Sequence, residues 1–120
     1  MNDVNQTICV PIYRAWFTLS VTNDVVAARK AKSDVFGPYL LGEAKALASC
    51  NDKGDFGLFF SFEDLTHGII AHEIFHLTHR IMDDVRGKFD IDNQEPHAYL
   101  CEWLTTWVYF QLQEHGITLI

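Results

Sequence analysis

Ala71-His72-Glu73-Ile74-Phe75-His76-Leu77 is the stretch that decides how the chain is read. It has the form H-E-x-x-H. Ile69, Ile70 and Ala71 precede the histidines, Leu77 follows them, and Glu73 is the only Asp, Glu, Lys or Arg between Ile69 and Thr78. Such a run predicts a helix. Residues four apart then stand one turn apart on one face, so His72 and His76 can present ring nitrogens to one ion. Zinc accepts histidine nitrogen at about 2.0–2.1 Å. Glu73, directly after His72, leans over the same site, where it can take a proton from a zinc-bound water. The competing reading of these letters is a buried helix with two satisfied histidines.

Working outward, Asp64 or Thr66 is the expected cap of this helix, which should run to about Val85 or Arg86 and stop at Gly87. Phe75 lies off the His72–His76 face and is expected in the core. Upstream, Asn51-Asp52-Lys53-Gly54-Asp55 is a turn signal. It separates residues 43–50, a strand or a short helix and here read as a strand, from the apolar strand Phe56-Gly57-Leu58-Phe59-Phe60-Ser61-Phe62, and the two form a hairpin. The apolar run suggests a strand buried on both faces or a ligand-facing edge.

Further back, residues 1–6 read as loose. Thr7 to Val21 read as a strand, with Pro11 marking an edge, a bend or a separate short piece. Asn23 or Asp24 should cap a helix over Val25 to Lys32, broken at Phe36-Gly37-Pro38. Downstream, Lys88 to Gln94 is a polar, acidic loop. A last helix from about Gln94 to Glu114 carries Trp103, Trp107, Tyr109 and Phe110. The expected fold class is α+β, with a small mixed or antiparallel sheet on one side. The motif helix and the last helix should pack together beneath it, with zinc between them.

At 120 residues the chain supports one domain, 1–120, with a single core. The formal net charge is −7, and the nine Lys and Arg form no basic stripe, which argues against a nucleic-acid partner. Cys9, Cys50 and Cys101 are odd in number and widely spaced, so they read as reduced, mostly buried thiols of a cytoplasmic protein. No signal peptide and no membrane span are apparent.

A catalytic zinc commonly has three protein ligands and one open position. With His72 and His76 as two, the third can be Glu95 (nineteen positions after His76), His97 or His79. An H-E-x-x-H helix followed by a Glu opening a later helix resembles the gluzincins, the thermolysin-type zinc peptidases. The chain is also similar to small phage- or prophage-encoded zincin-like proteins, in which a Phe-rich strand precedes H-E-x-F-H and the last helix carries E-x-x-A-Y-L. Here those letters are Glu95-Pro96-His97-Ala98-Tyr99-Leu100. The resemblance covers roughly residues 56–112. It implies Glu95 as the third ligand, with Pro96 in the first turn of the helix and Asn93 as its cap. An acidic residue four positions past the third ligand often supports a zinc histidine in gluzincins. Tyr99 stands there instead, and Glu102 is the expected substitute. Oxyanion help is expected from His97, His67, Tyr39 or Tyr99.

The resulting expectation is zinc-dependent peptide-bond hydrolysis, with Zn2+ on His72, His76 and Glu95, Glu73 as the base, and a peptide or protein as substrate. The strand over 56–62 would hold an extended peptide as one more strand. The rival is a binding or accessory module of zincin fold, in which zinc is structural and the last helix meets a partner. Trp103 and Trp107 share one stripe of that helix with Phe110 and Glu114. That stripe is expected either to be buried under the N-terminal segment or to form a homodimer or partner contact.

Overall fold

Four strands in the order β1-β2-β4-β3 form one mixed sheet in the computed structural model, which describes residues 3–11, 13, 15–84 and 94–120. Strand β1 (Val4–Val10) and strand β2 (Ala15–Thr22) pair antiparallel, with Ile8 opposite Phe17. The chain from 7 to 21 is therefore two strands and not one. Pro11 lies in the turn between them, since it has no N–H to give to a ladder. Residues 4–6, expected to be loose, belong to β1 because Val4 reaches the core opposite Val21.

Asp24 caps helix α1 (Val25–Lys30), its side chain accepting from the Ala27 N–H at 3.0 Å. A short helix α2 (Ser33–Phe36) follows and ends at Gly37, whose φ of +80° suits glycine. Strands β3 (Ala46–Cys50) and β4 (Asp55–Ser61) form the expected hairpin. Its turn is built by Asn51, whose Oδ1 accepts the N–H groups of Lys53 and Asp55, and by Gly54 at φ +86°. Strand β4 also pairs parallel with β2, so both its edges are used. It is a central strand, and the expectation of a ligand-facing edge at 56–62 is corrected: the outer edge on this side belongs to β3.

The strand alternation sorts side chains to two faces. On one face, Val4, Phe17, Leu19, Val21, Phe56, Leu58 and Phe60 join a core with Ile70, Ile74, Leu77 and Ile81 of helix α3 (His67–Asp84) and Leu100, Leu104, Val108 and Leu112 of helix α4 (Glu95–Glu114). Each fully buried side chain of this size contributes about 1.5–3 kcal/mol. On the other face, Phe36 meets Phe59 edge-on with ring centroids 6.0 Å apart. A Cβ at Gly57 would stand 3.1 Å from the Phe36 ring, so this close packing uses the missing side chain.

Arg29, which the sequence suggests as a dipole-matching cation at a helix end, is instead buried on that face. It donates to Ser49 Oγ at 2.8 Å and to the carbonyls of Gly37 and Phe36, between the rings of Phe36 and Tyr39. Burial lowers its pKa, and Tyr39 opposes that shift.

The α+β class and the mixed sheet agree with the sequence expectation. Thr66 Oγ1 accepts from the Ile69 N–H at 3.1 Å and so caps α3. The expected stop at Gly87 and the loop after it lie outside the described residues, while the expected cap of α4 is corrected: its N-cap is Gln94, which makes no side-chain capping bond, and not Asn93. Pro96 sits in the first turn of α4 as expected. Phe75 is corrected: it is 60 % exposed. At about 100° per residue, the core line of α3 runs through Ile70, Ile74, Leu77 and Ile81, and Phe75 falls well outside it. Trp103 and Trp107 are half-buried and stack with centroids 6.5 Å apart, while Phe17 of β2 meets Trp107 edge-on at 5.1 Å. Strand β2 thus covers part of that stripe. No described helix is long and apolar enough to cross a membrane.

Candidate metal centre

The exposed ridge of α3 carries His72 and His76, opposite its core-facing line. Their rings lie at 80° to one another, and their Nε2 atoms approach to 3.2 Å. Two nitrogens bound tetrahedrally at about 2.0–2.1 Å stand about 3.3 Å apart, so the pair already has the spacing of two zinc ligands. The same distance suits an N–H···N hydrogen bond between two neutral imidazoles. Glu73 lies on the flank between the ridge and the core and is 8 % exposed. No described side chain hydrogen-bonds its carboxylate, and the carboxylate oxygens are not among the buried polar atoms left without a partner, so they reach solvent.

One flank of α3 faces β3. There Arg80 donates from Nη1 to Cys50 Sγ at 3.3 Å, which ties the later turns of the helix to the end of the edge strand. The other flank faces α4. Phe75, Thr78 and His79 line a cavity of about 170 Å³ together with Gln94, His97, Ala98 and Cys101. The ring centroids of His79 and His97 are 5.5 Å apart, and those of Phe75 and His79 4.4 Å. Burial lowers the pKa of His97, and the neighbouring His79 lowers it further.

The three candidates for a third ligand therefore part company. Glu95 and His97 are two positions apart, about 200° around the helix. His97 is buried on the side that faces α3, and Glu95 is exposed on the far side with Tyr99 and Glu102. His79 lies beyond His76 on the α4 flank. Among the described residues no three His, Cys, Asp or Glu side chains converge in a group able to hold a metal ion. The structure thus brings together His72 and His76, with Glu73 beside them, and does not bring Glu95 to them.

The oxyanion candidates divide as well. Tyr39 packs on Arg29 across the sheet from α3 and hydrogen-bonds the Gly42 carbonyl, so it is withdrawn as a candidate. His67 and Tyr109 hydrogen-bond at 2.6 Å between Nδ1 and the hydroxyl, joining the first turn of α3 to α4. Arg80 was missed by the sequence reading, although its place four residues past His76 was there to see.

Comparison with family models, with curated proteins and with solved structures found no match to this chain.

Proposed function

We propose that this chain is a zinc-dependent hydrolase of peptide bonds, the activity that the resemblance to gluzincins implies. The observation that carries the proposal is the 3.2 Å approach of His72 Nε2 and His76 Nε2, with Glu73 next to His72 on the same helix. His72 and His76 would hold the ion, and Glu95 is the third ligand that the resemblance nominates. Reaching the pair from its present side of α4 requires the first turn of that helix to rotate or unwind.

Zinc, when bound, supplies Lewis acidity toward a carbonyl and makes water a nucleophile near neutral pH. Glu73 accepts the proton of the attacking water and returns it to the leaving amine. The outer edge of β3 offers backbone N–H and C=O groups to an extended peptide alongside α3, a role that β4 cannot fill because both its edges are paired. The three free cysteines, Cys9 exposed and Cys50 and Cys101 half-buried rather than mostly buried as expected, fit a cytoplasmic setting.

The test is cleavage of a peptide library by the zinc-loaded protein, read by mass spectrometry, for wild type and Glu73→Gln. Wild type should cut and the variant should not. Identical behaviour of the two removes the proposal. A protein that cuts nothing yet loses stability on chelation is instead the accessory module in which zinc is structural.

A further inference from the structure

The ridge that carries His72 and His76 continues for one more turn. Arg80 is four residues past His76, so the three side chains form one i, i+4, i+8 row, advancing about 6 Å at each step. Arg80 is exposed, and its contact with Cys50 Sγ at 3.3 Å sets its guanidinium at the end of the β3 edge. It is the only Lys or Arg in α3, and α4 has none. Asp83 and Asp84, both exposed, follow it by three and four positions, yet it makes no ion pair with any described carboxylate. In a chain of net charge −7, this exposed cation is held at the strand end with no described carboxylate paired to it.

We propose that Arg80 is a specificity residue that receives a carboxylate of the bound peptide, supplied either by its C-terminus or by an Asp or Glu side chain. The proposal rests on the peptidase reading of the same ridge. The planar guanidinium fork matches a carboxylate with two parallel hydrogen bonds. An extended peptide advances about 3.3 Å per residue, so a carboxylate one helical step from His76 belongs to a residue one or two positions from the bond to be cut. The acidic character of the whole chain disfavours acidic peptides at long range, which leaves the preference to this one local cation.

The experiment measures binding of short peptides to zinc-loaded Glu73→Gln protein by fluorescence anisotropy. Four peptides share one sequence: a free C-terminal acid, its amide, the amide with one internal Glu, and the amide with Gln in that place. The acid should bind about tenfold tighter than the amide if the terminus is the source, or the Glu amide about tenfold tighter than the Gln amide if a side chain is. Adding Arg80→Gln should erase the preference, while Arg80→Lys should keep part of it, because charge remains without the fork. Equal binding of all four peptides, absence of binding, or a preference that survives Arg80→Gln overturns the proposal. Hydrolysis by protein with Glu73 intact separates the two ideas. Cleavage of the neutral amide by wild type, lost in Glu73→Gln, keeps the peptidase reading whatever the binding series gives. Carboxylate selectivity at Arg80 in a protein that cleaves nothing supports the anchor and removes the hydrolase.

Discussion

The two flanks of α3 are built from different material. Toward β3 the helix offers Glu73 and an exposed cation, Arg80, beside an edge strand. Toward α4 it offers rings, with Phe75 and His79 against buried His97 around a small cavity. The first flank leaves charged groups where a peptide can reach them. The second flank closes one helix on another and draws a histidine out of solvent. Only the ridge between them, with His72 and His76, is shared. The difference teaches that one helix can separate charged groups from the rings that hold one layer against the next.

The sharpest way to break this division is at Glu73. Glu73→Gln keeps the shape and removes the base, so kcat on a cleaved peptide should fall by about 10²- to 10⁴-fold, while the thermal midpoint stays close to that of wild type. A large loss of stability with unchanged kcat would move Glu73 to the structural side.

Leu77→Ala tests the core line between the two flanks. Leu77 is fully buried, so urea unfolding should show a loss of about 2–5 kcal/mol. A loss below about 1 kcal/mol would mean that α3 is rotated and both flanks are misassigned.

Metal should act through the ridge alone. Zinc at about a hundred times its Kd should stabilise the native state by about 2.7 kcal/mol relative to chelated protein, read as a shift in thermal midpoint. His76→Ala should remove the shift, and a shift that survives in that variant would place the ion elsewhere.

The α4 flank should respond to pH. His97 has a folded-state pKa below the ordinary histidine value of 6.5, so the unfolded chain takes up its proton first as pH falls. Its contribution to stability is complete above pH 6.5 and is lost as pH drops from there through the lowered folded-state pKa. Metal-free protein followed by urea unfolding at successive pH values should show this decline, and His97→Gln should lessen it. An unchanged decline in the variant would assign it to other groups.

The smallest effect is expected at Phe75. With its ring 60 % exposed, Phe75→Ala should cost less than about 1 kcal/mol. A cost of about 3–5 kcal/mol, typical of a buried Phe, would return this ring to the core and overturn the phase of α3.

Several elements were legible because their causes are local. The Asn51–Asp55 turn follows from an Asn side chain that caps its own backbone and a glycine at positive φ. The β3–β4 hairpin follows from that turn. Helix α3 and its His72–His76 pairing follow from a four-residue spacing that any α-helix converts into one face. Phe75 was misplaced because a helix with apolar letters on several sides has no unique phase until something packs against it. Pro11 signalled a break, but its place in a turn between two paired strands depended on Val4 finding Val21 across the sheet.

The sequence by itself determined the α+β class, the helical motif and the pair of imidazoles one turn apart, since these need only backbone geometry and residue type. Tertiary structure alone decided which strand has the open edge, because β4 takes partners from both β2 and a neighbour in its own hairpin. It alone decided that α4 turns His97 toward α3 and leaves Glu95 outside, because the rotation of a helix is set by the apolar stripe it buries, here Leu100, Leu104, Val108 and Leu112. And it alone decided that Arg80 meets Cys50, thirty residues away in sequence, because a contact between a helix and a strand exists only once the helix has docked on the sheet.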